Sequence, residues 1–127
     1  MARKRATAEN IENGKGWKMV KAILGYDIEP GISVEAYEKW LREIHIPDLA
    51  RIPGIRRIVF NTVKGVVRGD TTFYRIAELH YDDMESFERA AQWRRENPVS
   101  AERGPDGRTA FRFYVVCESE TVEIPVK

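Results

Sequence analysis

The chain has 127 residues, 43% of them hydrophobic and 32% charged, which is the balance of one small globular domain and not of a disordered or membrane protein. Its 21 Lys and Arg nearly cancel its 20 Asp and Glu, so no nucleic-acid or membrane partner is expected. The single cysteine, Cys117, excludes an internal disulfide framework and a cysteine-only zinc site, and no apolar run approaches the ~18 residues of a membrane span.

Residues 1–16, "MARKRATAENIENGKG", are basic and polar and lack the apolar core of a secretory signal, so a flexible arm and a cytoplasmic protein are expected. Residues 17–127 are expected to form a single domain. Residues 17–28 are β-rich and run into Pro30-Gly31, which predicts a first strand. Ser33 suits a helix N-cap with Glu35 in the first turn, and Tyr37, Trp40, Leu41 and Ile44 recur at the spacing of one buried helical face. Pro47 has no N–H and crowds the carbonyl of Glu43, so the helix is expected to kink or restart there with His45 at the break. Residues 55–65 and 71–81 read as the second and third strands, joined through a turn at 66–70 into a hairpin. Asp82 and Glu85 have capping-box spacing and open a second helix with Met84, Phe87, Ala90, Ala91 and Trp93 as its apolar stripe. Asn97-Pro98 stops it, a loop rich in charge, Gly and Pro follows, and residues 110–120 read as the fourth strand.

The order βαββαβ predicts an α+β, ferredoxin-like sandwich: a four-stranded antiparallel sheet with two helices on one face. Alternation in the third strand turns Phe73, Ala77, Leu79 and Tyr81 toward the helices and Tyr74, Ile76, Glu78 and His80 to the other face. In the second strand Arg56, Ile58, Phe60 and Thr62 are assigned to that other face too. So apolar a face would be an exposed patch in a monomer. A second copy, sheet against sheet, would cover it and enclose a cavity, so a homodimer is expected.

The stretch "YEKWLREIHIPDLARIPGIRRIVFN", followed by "FYRIAELHYDDMESFERAA", resembles the EthD-like family of dimeric α+β barrel proteins. That family shows an aromatic residue, then H-x-P with a following Leu, then P-G and an aliphatic residue, a strand, and an A-E-L strand entering an acidic-capped helix. The matching residues are Tyr37, Trp40, His45, Pro47, Leu49, Pro53, Gly54, Ile55, Asn61, Ala77, Glu78, Leu79 and Phe87, within a likeness covering residues 17–117. The resemblance implies the barrel dimer but no single reaction. Relatives include ring-closing enzymes of aromatic polyketide pathways, decarboxylases, muconolactone-type isomerases, cofactor-free monooxygenases and accessory proteins of ether degradation. The chain departs from the pattern at Ile58, where related isomerases carry a tyrosine, and at His80, where the group is more often aromatic or apolar. A second imidazole would replace the missing proton donor.

The candidate catalytic residues are therefore His45, His80 and Glu78, in a largely apolar cavity with no cofactor. An imidazole with a pKa near ~6.5 takes or gives a proton at neutral pH, and a desolvated carboxyl orients it or acts as an acid. The plainer readings are a His45 that caps a helix end and a Glu78 paired with Arg56 or Arg75. Trp40, Arg56, Ile58, Phe60, Tyr74 and Ile76 are the expected contacts to a small aromatic, polyketide-like or lactone substrate, with Arg56 on its carboxylate or enolate. The two histidines and the glutamate lack a local H-x-H or H-E-x-x-H spacing, so no metal is expected. Arg94, Arg95, Arg103 and Arg108 read as solvated charge, with gating of an anionic ligand as the alternative. The favoured function is a cofactor-independent cyclase, isomerase or lyase of the decarboxylase type. The alternatives are a cofactor-free monooxygenase of a phenol, with Trp17 or Trp40 near the cavity as its hint, and a non-catalytic binding or accessory barrel.

Overall fold

A computed structural model describes residues 18–127; the expected arm and Trp17 lie outside the described residues. The elements are β1 (Lys18–Ile28), α1 (Val34–Trp40), a π-helical turn (Leu41–His45), α2 (Ile46–Ala50), β2 (Arg57–Thr62), β3 (Arg75–Tyr81), α3 (Met84–Glu96) and β4 (Thr109–Glu120). The strands make one antiparallel sheet in the order β2-β3-β1-β4, the ferredoxin-like arrangement, with the helices on one face.

Register decides which side chains meet the helices, because directly opposed residues in an antiparallel ladder point to the same face. Ala22 lies opposite Leu79 and Leu24 opposite Ala77, and these residues pack under Leu41, Leu49, Ile52 and Ala90 from the helical layer. On β2, Ile58 lies opposite Leu79, Phe60 opposite Ala77 and Thr62 opposite Arg75. Ile58, Phe60 and Thr62 therefore face the helices, not the free face to which alternation assigned them. The segment "RIVFNT" has apolar side chains of both parities, Ile58 and Phe60 against Val59, so alternation alone had no means of choosing. The free face carries Lys21, Ile23, Val59, Ile76, Glu78 and His80.

The first helix does not break at His45. Ile46 N–H bonds to the carbonyl of Leu41, one residue wider than an α-turn, and His45 and Ile46 both keep right-handed helical dihedrals. The wider turn carries the chain into Pro47, which opens α2 without an N–H to lose. The N-cap of α3 is Asp83, whose carboxylate accepts from Ser86 N–H at 2.8 Å; Asp82, the expected cap, instead lies 3.6 Å from Arg56. Gly54 explains the P-G pair. Its φ is +99°, and a Cβ there would stand 3.2 Å from the Ser86 carbonyl at the start of α3. Gly54→Ala is expected to destabilise the fold by roughly 1–2 kcal/mol in urea unfolding, from the left-handed conformation plus the close backbone. No helix among the described residues is long and apolar enough to cross a membrane.

Candidate functional site

A cavity of about 680 Å³ opens between the sheet and the helical layer, within the ~300–1,000 Å³ usual for small-molecule sites. Its floor is apolar, from Leu24, Ile58, Phe60, Ala77 and Leu79 on three strands. Leu41 of the π turn, His45, Leu49 and Ile52 form one wall, and Trp93 and Arg94 of α3 another. Residues of the loop between α3 and β4, among them Arg103, Gly104 and Pro105, close the end. This cavity lies within the chain, on the helix side of its sheet.

His45 borders this space because the π turn ends on it. Its ring stacks on the buried Trp40 at 4.6 Å between centroids and 19° between planes. Trp40 is itself fixed, donating from Nε1 to the Arg103 carbonyl at 3.0 Å, with the Arg108 guanidinium 5.3 Å from its ring centre. Burial pushes the His45 pKa down to about 4; the Asp48 carboxylate opposes that shift and the Arg94 cation adds to it. His45 is therefore a neutral imidazole at pH 7, and among the described residues its ring makes no hydrogen bond. Asp48 is held ionised, below the usual carboxylate range, by Arg103, which donates to it at 2.8 and 3.1 Å. Burial raises the pKa of both Tyr26 and Tyr37 in the cavity wall, keeping the phenols protonated. Tyr37 shares a 2.8 Å hydrogen bond with Thr109.

The expected trio of His45, Glu78 and His80 does not assemble. Glu78 and His80 lie on the free face of the sheet, across its thickness from His45, because β3 alternates and Ala77 and Leu79 take the cavity side. On that face His80 Nε2 lies 3.0 Å from Glu78 Oε1, Asn61 donates to Glu78 Oε2 at 2.8 Å, and Lys21 stands 3.3 Å away. Burial opposes it, but those partners hold the Glu78 carboxyl below the usual range. Lys21, and not Arg56 or Arg75, is thus its cationic partner, with the His80 ring as its other neighbour.

Of the expected substrate contacts, Ile58 and Phe60 line the cavity and Trp40 backs His45. Arg56 is exposed and faces Asp82, and Ile76 lies on the free face opposite Gly25 and Asn61. Tyr74 packs edge-on to Tyr37, 6.2 Å between centroids, and donates to Glu38 at 2.8 Å, outside the cavity lining. These displacements follow from register and from Arg56 lying before β2 begins. Among the described residues, no three His, Cys, Asp or Glu side chains are grouped as a metal site requires.

Sequence reasoning missed Tyr26, Tyr37, Asp48 and Tyr114 as cavity residues, and it read Arg94 and Arg103 as solvated charge. One signal was available: Phe87, Ala90 and Arg94 fall at i, i+3 and i+7, so an arginine occupies a place on the apolar stripe of α3.

No family model matches the sequence, and no curated protein matches it. Solved structures do resemble it. An ethyl tert-butyl ether D (EthD) family protein from Bacillus halodurans C-125 is 26% identical, with a TM-score of 0.61 over 80% of this chain and 98% of that one. HapK from Hahella chejuensis is 10% identical, with a TM-score of 0.54 over 86% of this chain and 100% of that one. A hypothetical Arabidopsis thaliana protein is 14% identical, with a TM-score of 0.55 over 88% and 96%. At those identities the last two speak for the fold alone.

Proposed function

We propose that this chain, which resembles a solved EthD family protein, is a cofactor-independent enzyme of that kind in which His45 moves a proton inside the helix-side cavity. The observation that carries the reading is a neutral imidazole, fixed in plane by Trp40 and bordering an apolar space of small-molecule size. At a carbon next to a carbonyl, the C–H bond breaks, the proton goes to His45, and the electron pair moves into an enolate. The Tyr26 and Tyr37 phenols, kept protonated in the cavity wall, are our candidates among its O–H groups for the oxygen that gains charge. Reprotonation elsewhere gives an isomerase, attack on a second carbonyl a cyclase, and loss of carbon dioxide from a β-keto acid reaches the same enolate. Burial makes His45 a weak base on its own, so negative charge developing beside it is what raises its proton affinity.

Deuterium exchange at the α-carbon of 1-tetralone, followed by NMR in D₂O, tests this. The parent protein is expected to exceed buffer, and His45→Ala to lose that excess by about 10²-fold or more while keeping its fold. A parent no faster than buffer leaves a binding or accessory barrel. The Trp40 ring stacked on His45 favours a second reading, cofactor-free oxygenation of a phenol, for which oxygen uptake with a hydroquinone is the readout.

We also propose that a second copy covers the free face. Ile23, Val59, Ile76, Phe113 and Val115 lie there, with Val115 46% exposed. Val115→Asp is expected to turn a dimer into a monomer in sedimentation equilibrium; a parent that already sediments as a monomer rules the pairing out.

A further inference from the structure

The cationic side of the cavity has no part in the reaction as proposed, and its charges are unequal in kind. Arg103 is committed to Asp48 through two hydrogen bonds. Arg94 is half-buried in the cavity wall, and among the described residues its side chain's one hydrogen bond goes from Nη1 to the Tyr114 hydroxyl at 3.1 Å, with no carboxylate partner. Arg51 adds a further positive charge to the lining, where Asp48 is the one carboxylate among the described residues. The part of the guanidinium that lies against the apolar wall gives up hydration, and an anion meeting it there offsets that loss with charge-assisted hydrogen bonds. The neighbouring imidazole is neutral and supplies no such anion.

We infer that Arg94, steadied by Tyr114, is the recognition group for a carboxylate on a planar aromatic ligand whose rings lie on the Ile58, Phe60 and Leu79 floor. This rests on the helix-side cavity being the ligand site, and it adds the class of ligand: an aromatic acid in preference to its neutral analogue. Arg94 binds and positions; it takes no proton. An anion on Arg94 also cancels the charge that helps to hold His45 neutral, so ligand binding raises the proton affinity of the base beside it.

The probes are 2-naphthoate and the neutral 2-naphthamide, titrated into the full chain and followed by fluorescence of Trp93 in the cavity wall and Trp40 behind His45. The parent is expected to bind 2-naphthoate about tenfold or more tighter than 2-naphthamide, the size of one charge-assisted pair. Arg94→Gln is expected to bring the two affinities to within about twofold while leaving that for 2-naphthamide unchanged, as for a contact made only to the carboxylate. Arg94→Lys, which keeps the charge without the fork, falls between. Arg95→Gln, altering an exposed arginine that bonds Gln92, keeps the parent's preference and controls for net charge. A preference for the acid that survives in folded Arg94→Gln overturns the inference while leaving the His45 reading intact. Failure of both probes to bind the parent overturns it together with the cavity as the ligand site. A parent that exchanges deuterium no faster than buffer yet keeps the acid preference sinks the His45 reading and leaves this inference standing.

Discussion

Glu38→Ala is expected to destabilise the protein by about 3 kcal/mol, the low end of the ~3–5 kcal/mol for breaking a buried ion pair, because a quarter of the Glu38 side chain is exposed. The pair joins α1 to β3. Arg75 has 7% of its side chain exposed, donates to Glu38 at 2.8 Å, and lies over the rings of Tyr74 and Phe60 at 4.7 and 5.4 Å. Tyr74 donates to the same carboxylate oxygen and accepts from the guanidinium at 3.2 Å, and Thr62 accepts from the guanidinium at 3.3 Å. Removing the carboxylate strands a cation beneath α1 with only hydroxyl and aromatic partners. Removing the cation is milder. In Arg75→Met the new side chain fills the apolar stem's space, and Glu38 can turn toward Arg42, 3.7 Å away, and toward water. The double variant Glu38→Ala with Arg75→Met should therefore recover much of the loss in Glu38→Ala. Urea unfolding of the four proteins measures this; equal costs for the two single changes would show that no buried charge is left behind.

The same residues show how far the sequence carries. The βαββαβ order, the antiparallel sheet, the helix N-cap at Ser33 and the H-x-P and P-G signatures were legible because each rests on local pattern or on turn chemistry. The cavity was not, because it depends on register. His45 and Ile58 reach it from separate elements, and one step of alternation decides whether a β2 residue faces the helices or the free side. Arg75 is the sharper case: it reads as a candidate partner for Glu78 in its own strand, yet it pairs with Glu38, a long way off in the chain, where no periodicity connects them. Arg94 was visible in principle as a cation on an apolar stripe, but only the closure of the 97–108 loop over α3 gives it a cavity wall to stand in.

The half-buried imidazole of His45 has a thermodynamic signature that needs no substrate. Its folded pKa of about 4 lies below the ~6.5 of an unfolded chain, so between those values the unfolded state binds a proton that the folded state refuses. Stability contributed by neutral His45 is thus fully present above pH 6.5 and is lost as pH falls toward 4, on the order of 3 kcal/mol in all. The groups that set this are Asp48 from α2, which favours the proton, and burial and Arg94 from α3, which oppose it. His45→Gln removes the titration, so its stability should change less than the parent's across that window, and the gap between them should narrow or reverse by pH 5. The lowered carboxylates Asp48 and Glu78 add their own acid sensitivity only at the low end, near and below their ordinary values. Urea unfolding at several pH values between 4 and 7.5 reads the difference. Parallel curves for parent and variant would place His45 in solvent and remove the premise of the proton-transfer reading. A parent curve that flattens when 2-naphthoate is present would show the anion at Arg94 restoring proton affinity to the imidazole, which joins the two halves of the site in one measurement.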